Sequence, residues 1–326
     1  MKIIGIDIGG TKCAVLLGIA GADGQLTILS KLAVLTKDFP DPYKMISQLQ
    51  VMIDELLALC DTDISAVSSI GISCGGPLDS KTGIIYSPPN LPGWDEIPIV
   101  RLFSQKYGIP VSIQNDANAC ALAEWLMGAG RGTTNMVFLT FGTGMGGGLI
   151  LNGRLYSGTN DLGGEVGHIR LARTGPVGFG KAGSFEGFCS GGGIAQLAKS
   201  VVTEKLNGNK TVDFCPSSEM VSEIDTKMVA EAAQLGDPVA VEILRISAEY
   251  LGQGLAILID VLNPECIVIG SIYARNELLF KPILEAVLLK EAIPSALEVC
   301  KIVPAELGES IGDFAALCVA VYKEKF

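Results

Sequence analysis

The sequence is poor in positive charge. Lys and Arg number 24 against 35 Asp and Glu in 326 residues, so the formal net charge is -11. A surface of that sign repels nucleic-acid phosphates, and no run of Lys or Arg forms a local basic patch. We therefore expect no nucleic-acid partner. An anionic nucleotide can still bind, because backbone N–H groups and a magnesium ion neutralise its phosphates locally.

Long apolar stretches and paired cysteines are also missing. The hydrophobic residues, 48% of the chain, occur in short separated runs, and the first residues lack the pattern of a signal peptide. The nine cysteines are scattered and form no CxxC pair, which argues against a disulfide framework. We therefore expect a cytoplasmic protein without membrane contact. The chain is also long enough to form two lobes, each with its own hydrophobic core.

The alternation of apolar residues and turns predicts an α/β protein. An antiparallel meander opens the chain, with strands Lys2–Ile8, Cys13–Ile19 and Leu26–Leu35 and a second turn at Asp23-Gly24. A strand, a glycine-rich turn and another strand return at 136–151, which suggests one copy of this substructure in each lobe. Residues 155–190 have no clear period and predict a long functional loop. Further strands are predicted at 69–74, 110–114, 266–269 and 299–303, and helices from 42, at about 98–107, 116–130, 191–206, 224–235, 238–262 and 277–290, and from about 309.

The turn after the first strand has an unusual composition. The segment Asp7–Lys12, DIGGTK, combines an acid, two glycines, a hydroxyl and a cation. Glycines let the backbone approach a ligand closely, and this set of groups suits a magnesium-bound polyphosphate. An ordinary hairpin turn would need only the two glycines, and it would leave an acid in an apolar strand without a role.

A second glycine-rich segment, Gly142–Gly148, lies between two predicted strands. The strand that follows it excludes the strand-to-helix phosphate loop of dinucleotide enzymes and P-loop ATPases, and no Gly-Lys-Ser/Thr ending is present. Successive N–H groups of such a loop can still hold phosphate oxygens, with Thr143 as a further donor. The alternative is a flexible hairpin, in which so many glycines would cost chain entropy without a gain in packing.

The segment NDANA, residues 115–119, falls where a predicted strand gives way to a helix. Two amides beside the carboxylate of Asp116 suit a site that orients a sugar hydroxyl and removes its proton during phosphoryl transfer. The alternative is that Asp116 only caps the helix, which requires no further function.

The single histidine, His168, stands in a polar, glycine-rich stretch rather than on an apolar helical face. Together with Glu165 and Glu186 it could form a wall that binds a polyol, because a ring of hydroxyls calls for paired donors and acceptors. A surface histidine without a role is the alternative.

Several of these motifs occur together, and in the same order, in one known family. The chain resembles, nearly end to end, the ROK proteins (repressors, open reading frames and sugar kinases), which include bacterial glucokinases and N-acetylhexosamine kinases. The resemblance rests on DIGGTK, GGPLD, SPPNLPGW, NDANACALAE, GTGMGGG and the Glu-x-Gly-His segment. It implies the actin-like ATPase (ribonuclease H-like) fold, with two lobes and a nucleotide cleft between them.

The resemblance also implies roles for individual residues. Asp116 looks like the catalytic base, and Mg²⁺ would arrive with ATP, near Asp7. The lobe made of residues 1–115 and the helix of about 309–326 would hold sugar and phosphate, residues 116–308 would form the nucleotide lobe, and a homodimer is implied. The implied sugar contacts are Asn90, Asn115, Glu165, His168 and Glu186, and the implied nucleotide-side residues are Asp7, Gly9, Gly10, Thr11, Lys12, Thr143, Gly144 and Gly270.

The chain departs from the family pattern at three places. Ser271 stands where members usually have a second glycine near the adenosine, and no helix-turn-helix precedes the first strand, which favours the kinase branch. The zinc motif CxCGxxGCxE is replaced by the segment Val177–Glu186, in which all three thiol positions are gone. We therefore expect no structural zinc, and we expect apolar packing of Val177 and Phe179 to hold this loop instead.

The sequence thus predicts an ATP-dependent sugar kinase that acts on a hexose or hexose derivative, most often at the 6-hydroxyl if the family is a guide. The rival hypothesis is a sugar-responsive binding or regulatory protein without turnover and without a DNA-binding domain. A nicotinamide-dependent dehydrogenase is a weaker alternative, because a strand follows the glycine-rich segment. The sequence does not rank glucose, mannose, allose, fructose, N-acetylated sugars or β-glucosides, since specificity depends on loop geometry around Glu165 and Glu186.

Overall fold

The computed structural model describes residues 1–22 and 24–322. Their contacts divide the chain into two compact units. The first comprises residues 1–134, 148–164 and the chain from 306 onward, and the second comprises residues 135–147 and 165–305. Asp23, in the predicted second turn, and the last four residues of the predicted C-terminal helix lie outside the described residues.

The regular elements of the described residues are as follows. The strands are β1 (Lys2–Ile8), β2 (Lys12–Ala20), β3 (Leu26–Leu35), β4 (Val67–Cys74), β5 (Leu78–Asp79), β6 (Ile84–Ile85), β7 (Val111–Asn115), β8 (Met136–Leu139), β9 (Gly147–Leu151), β10 (Arg154–Leu155), β11 (Val177–Gly178), β12 (Lys181–Ala182), β13 (Cys266–Ile269) and β14 (Lys301–Pro304). The α-helices are α1 (Pro42–Leu59), α2 (Ile99–Tyr107), α3 (Asp116–Leu126), α4 (Phe185–Phe188), α5 (Gly191–Asn207), α6 (Thr226–Gln234), α7 (Pro238–Leu262), α8 (Ser271–Arg275), α9 (Glu277–Glu291), α10 (Pro294–Leu297) and α11 (Ile311–Val321).

A five-stranded sheet forms the centre of the first unit, in the order β3-β2-β1-β4-β7. The strands β1, β2 and β3 form the predicted antiparallel meander, and β4 and β7 add in parallel beside β1. The register places Asp7 opposite Ala14 on one side and Ser73 on the other. Parallel strands expose their carboxyl ends at one edge of a sheet, so the residues that follow β1, β4 and β7 come together.

Helices cover the two faces of this sheet. On one face, α1 and α2 contribute Met45, Leu49, Ile53 and Phe103 to an apolar core with the sheet residues. On the other face, α11 packs directly on β1 and β4, and α3 packs beside it. The approach is so close that a Cβ added at Gly71 would lie 2.2 Å from Ala320 N.

The second unit is built on a parallel core of β8, β13 and β14, with β13 in the middle. The long helix α7 packs against α5, α6 and α9. Its start follows the sequence signal, because Asp237 accepts hydrogen bonds from Val239 N and Ala240 N and Pro238 takes the first helical position. Its end is at Asn263, which adopts a left-handed conformation with φ 44°.

Residues 155–190, predicted as a long loop, contain only short regular elements. These are the β11–β12 hairpin, the single turn α4 and a short 3₁₀ turn at Val166–His168. None of the helices in residues 1–22 and 24–322 is long and apolar enough to cross a membrane. The predicted boundary between a sugar lobe and a nucleotide lobe after residue 115 stays a prediction. In the division by contacts, residues 116–134 belong to the first unit, where α3 packs on α11.

Candidate functional site

Asp116 is the first residue of α3, directly after β7. The N-cap is the preceding residue, Asn115, whose side-chain oxygen accepts a hydrogen bond from Asn118 N at 2.7 Å. The N-cap position therefore belongs to Asn115, and Asp116 lies next to it in the first turn of the helix. Its Oδ1 accepts from Ala117 N at 2.9 Å, and the residue remains accessible to solvent. Partial desolvation of the carboxyl by the surrounding protein raises the pKa of Asp116, and the Ala117 hydrogen bond opposes that rise.

Glycines bring Asn90 into this region of the first unit. A Cβ added at Gly10 would lie 2.7 Å from Asn90 O, and one added at Gly75 would lie 3.0 Å from Asn90 Oδ1. Asn115 lies beside the next glycine, with its Cβ 3.9 Å from a Cβ added at Gly76. Asn90 thus approaches Gly10 and Gly75 more closely than side chains at those positions would allow, whereas Asn115 lies at ordinary contact distance from Gly76.

Asp7 occupies the penultimate position of β1, in the same region. Its pKa is raised to about 7, chiefly by burial and then by the charges of Asp313 and Asp116, while the charges of Lys31 and Lys12 oppose the rise. Lys31 also forms an ion pair with Asp313, with Nζ 2.7 Å from Oδ2. The first unit therefore gathers three carboxyl groups near the carboxyl end of β1.

The turn from Gly9 to Lys12 is held through its backbone. Gly9 N donates to Lys12 O at 3.1 Å, and Thr36 fastens the turn twice, through Oγ1 to Gly9 O at 2.6 Å and through N to Thr11 O at 2.9 Å. The side chains of Thr11 and Lys12 are left exposed. A hydroxyl and a cation on a fixed turn are available to an anionic ligand.

In the second unit, Glu186 lies against the glycine-rich turn. Its Oε2 accepts a hydrogen bond from Met145 N at 3.0 Å, and a Cβ added at Gly144 would lie 2.9 Å from the same oxygen. The structure therefore makes Glu186, a predicted sugar contact, a direct neighbour of Gly144, a predicted phosphate-side residue.

The glycine-rich turn is joined to the start of α5. Gly191 N donates to Gly142 O at 2.7 Å, and Gly192 N donates to Thr143 O at 3.4 Å. The turn is also closed internally, by a hydrogen bond from Gly142 N to Gly144 O at 3.0 Å. These contacts fix a backbone that its composition alone would leave mobile.

Glu165 and His168 stand at the two ends of a short 3₁₀ turn, where His168 N donates to Glu165 O at 3.1 Å. Both residues are exposed. The turn packs on the glycine-rich segment, since a Cβ added at Gly167 would lie 2.3 Å from Met145 O and 3.3 Å from Glu186 Cβ. Glu165, His168 and Glu186 are therefore neighbours in the second unit.

The expectation that apolar packing holds the loop of Val177–Glu186 is wrong. Val177 is 44% exposed and Phe179 is 76% exposed, so neither side chain is buried in a core. The donor set does not fit structural zinc either, which requires about four thiolate or imidazole ligands. The nearest thiol, Cys189, is buried and donates to Ser247 O at 3.4 Å. Among residues 1–22 and 24–322, no group of three or more His, Cys, Asp or Glu side chains could hold a metal ion.

A cavity of about 600 Å³ opens beside the glycine-rich turn, entirely within the second unit. Thr143 and Ser271 line it. Ser271 adopts φ 51°, a left-handed conformation that favours glycine, which is the residue expected there from the family. Gly270 is buried behind this residue, where its N donates to Leu139 O at 2.9 Å.

Sequence reasoning missed several residues that line this cavity. Gln234 Nε2 donates to Asn276 Oδ1 at 3.1 Å, and Asn276 Nδ2 donates to Ile272 O at 2.9 Å, so two amides are held at the wall. Thr226 and Arg275 also line the cavity. In the sequence these residues carry no functional motif, and only Arg275-Asn276, directly before the helix predicted from 277, gives a signal, that of a helix boundary.

Comparisons with known proteins support the motif-based resemblance. Residues 3–321 match the sequence profile of the ROK family. The chain belongs to the ROK family. Over its whole length it is 30% identical to a glucokinase of Thermotoga maritima, of which it covers 98%. A glucokinase of Streptomyces griseus, solved with glucose and AMPPNP, is similar over 98% of this chain and 99% of its own, with 30% identity and a TM-score of 0.73. A ROK transcriptional regulator, a homologue of Escherichia coli Mlc, matches with a TM-score of 0.82 and 25% identity over 98% of this chain and 77% of its own.

The mixed α/β architecture of this ROK protein is the actin-like ATPase fold, as predicted. The predicted site residues fall into two groups, each within one compact unit. The first unit holds Asp7, Gly9, Gly10, Thr11, Lys12, Asn90, Asn115 and Asp116, and the second holds Thr143, Gly144, Glu165, His168, Glu186 and Gly270.

Proposed function

We propose that the protein transfers the γ-phosphoryl group of Mg-ATP to a hydroxyl of a hexose or hexose derivative, with the 6-hydroxyl as the favoured acceptor. The observation that carries the proposal is the placement of Asp116. It is the first residue of α3, directly after the N-cap Asn115, and it is accessible to solvent, while Asn90 lies against Gly10 and Gly75 of the same unit. An accessible carboxylate next to an amide side chain is suited to bind a sugar hydroxyl and to remove its proton.

The raised pKa of Asp116 supports the role of general base. A carboxylate accepts a proton more readily as its pKa rises towards the pH of the solution, and partial desolvation by the surrounding protein moves the pKa of Asp116 in that direction. Phosphoryl transfer makes few covalent demands on the protein beyond this, since positioning and stabilisation of charge supply most of the rate.

The nucleotide side of the proposal rests on the second unit. The fixed glycine-rich turn offers backbone N–H groups to phosphate oxygens, and the adjoining cavity of about 600 Å³ is large enough for the nucleoside. Mg²⁺ would come with ATP as part of the substrate, and Asp7 is the carboxyl we propose near it. Glu165, His168 and Glu186 would contact the sugar.

A regulator without turnover is the second candidate function, because a transcriptional regulator is among the structures this chain resembles. Such a protein would bind sugar but release no ADP. The raised pKa of Asp116 favours the enzyme, because it suits a general base, whereas a binding site needs only hydrogen-bond partners for the sugar hydroxyls. The homodimer implied by the family resemblance stays a prediction.

The deciding experiment measures ADP release with a panel of hexoses, N-acetylhexosamines and β-glucosides for wild type and Asp116→Asn. We expect the variant to lose ~10²–10⁴ in kcat, because an amide cannot accept the proton, while sugar affinity measured by calorimetry changes little. Asp41→Asn is the matched control, since Asp41 also lies at the start of a helix and asparagine preserves its capping bond to Lys44 N. Sugar binding without ADP release by wild type would favour the regulator, and Asp116→Asn turnover within a few-fold of wild type would refute the assigned base.

A further inference from the structure

The hairpin β11–β12 lies directly on the side chain of Glu186. A Cβ added at Gly178 would lie 2.8 Å from both Cβ and Cγ of Glu186. Only glycine allows this contact, so the hairpin restricts the conformations of the Glu186 side chain at Cβ and Cγ. The other end of that side chain is fixed by Met145 N.

The same hairpin contacts the turn that carries His168. Lys181 Nζ donates to His168 O at 2.7 Å, and the ring of Phe179 meets the ring of His168 edge to face, with 5.6 Å between centroids. Arg170, two residues beyond His168, donates to Ala182 O at 2.6 Å. One small hairpin therefore touches two of the proposed sugar contacts, Glu186 and His168.

The hairpin has little packing of its own, as the exposed side chains of Val177 and Phe179 show. It is fastened from α5 by one side chain, Gln196. Gln196 Nε2 donates to Val177 O at 2.9 Å, and Val177 N donates to Gln196 Oε1 at 3.0 Å. The amide thus satisfies both backbone groups of Val177, as a neighbouring strand would.

These contacts fall on the positions where the family pattern has its zinc motif. Val177, Phe179 and Ser184 stand at the three thiol positions. Val177 is held by Gln196, Phe179 contacts the His168 ring, and the buried Ser184 Oγ accepts from Gly187 N at 3.1 Å. Each position makes a contact that requires no metal.

We propose that Gln196 is a positioning residue, which holds the hairpin so that Glu186 and His168 keep the geometry for binding sugar without a metal ion. This inference rests on the proposed sugar site. Gln196 acts on the sugar only through Val177 and the hairpin, so its loss should weaken sugar binding more than catalysis or ATP binding.

The test compares Gln196→Ala with Glu204→Ala. Glu204 is an exposed residue of the same helix, and its side chain makes no hydrogen bond among those found in the described chain. Two readouts are taken: amide hydrogen exchange of residues 177–182, and the KM values for ATP and for the sugar that wild type turns over fastest. Gln196→Glu is the second variant, because it keeps an acceptor for Val177 N–H but loses the donor to Val177 O.

Loss of two hydrogen bonds should raise the sugar KM of Gln196→Ala about fivefold or more, with kcat and the ATP KM within about twofold of wild type. Amide exchange in the hairpin should be about tenfold faster, Gln196→Glu should be intermediate, and Glu204→Ala should match wild type. Unchanged exchange in Gln196→Ala, or an equal rise of both KM values, would overturn the proposal. If wild type phosphorylates no sugar, the proposed function fails, and the exchange data still decide whether Gln196 holds the hairpin.

Discussion

At the scale of single residues, the carboxyl groups of the first unit determine how it responds to pH. Asp7 is partly buried in the strand, with Asp313 and Asp116 near enough for their charges to raise its pKa. A group whose pKa is higher in the folded protein than in the unfolded chain binds more protons when folded. Its contribution to stability is therefore present at low pH and is lost as the pH rises towards the folded value.

We predict that Asp7→Asn removes this dependence. The pKa of Asp7 is 3.8 in its ordinary state and about 7 in the folded protein, so wild type should lose stability between about pH 4 and 7 relative to the variant. The slope of the difference should approach, and not exceed, about 1.4 kcal/mol per pH unit. Urea unfolding of both proteins at pH 5, 6, 7 and 8, without nucleotide, measures it.

The control for Asp7→Asn is Asp38→Asn, which changes an exposed aspartate of the same unit. Its unfolding free energy should follow wild type at every pH. Parallel curves for wild type and Asp7→Asn would show that Asp7 does not titrate in this range.

At the scale of elements, the contact between α11 and the sheet of the first unit leaves no room for a side chain at Gly71. A Cβ there would lie 2.2 Å from Ala320 N and 2.3 Å from Ala316 O, and both atoms belong to the helix backbone. A backbone cannot rotate away as a side chain can, so α11 would have to move from the sheet.

Gly71→Ala should therefore lower the free energy of unfolding by ~1–3 kcal/mol or more, the range found for overpacked cores. Ser68→Ala is the matched control, because Ser68 is an exposed residue on the same strand. Thermal and urea unfolding measure both variants. A Gly71→Ala protein as stable as the control would mean that the sheet and α11 separate at little cost.

Most regular elements could be predicted from local patterns, and the exceptions depend on distant contacts. The strand Leu26–Leu35 and the helix Pro238–Leu262 have the bounds that the sequence indicates. The helix predicted over 116–130 ends at Leu126, and the chain then folds around the buried carboxylate of Glu124. That carboxylate accepts hydrogen bonds from Ala129 N, Glu306 N and Leu307 N. Glu306 and Leu307 are too distant in the sequence for a local pattern around Glu124 to indicate them.

In the candidate site, too, some features could be predicted from local sequence and others could not. The glycine-rich turns themselves could be located from the sequence, because glycines mark places where the backbone approaches other groups closely, while the roles of their residues stay predictions. The amides of Gln234 and Asn276 could not, since each lies in or at the end of an ordinary helix. The loop of Val177–Glu186 was predicted wrongly because the apolar character of Val177 and Phe179 suggested packing, whereas hydrogen bonds to the backbone hold it.

At the scale of the whole molecule, the altered zinc motif predicts the metal content. Protein purified without a metal-affinity tag should contain less than ~0.1 zinc per chain, because structural zinc requires about four thiolate or imidazole ligands. Elemental analysis by mass spectrometry measures this directly. About one zinc per chain, removable only with loss of folding, would contradict the prediction.

The first unit is assembled from three separate stretches of the chain, and α11 is the last described helix among them. During synthesis, the ribosome releases β1 and β4 long before the helix that covers Gly5 and Gly71 has been made. Because domains generally fold as units during synthesis, the face of the sheet that α11 covers remains exposed while residues 135–305 are translated. An apolar sheet face that the finished molecule hides is therefore exposed in the nascent chain until α11 has been made.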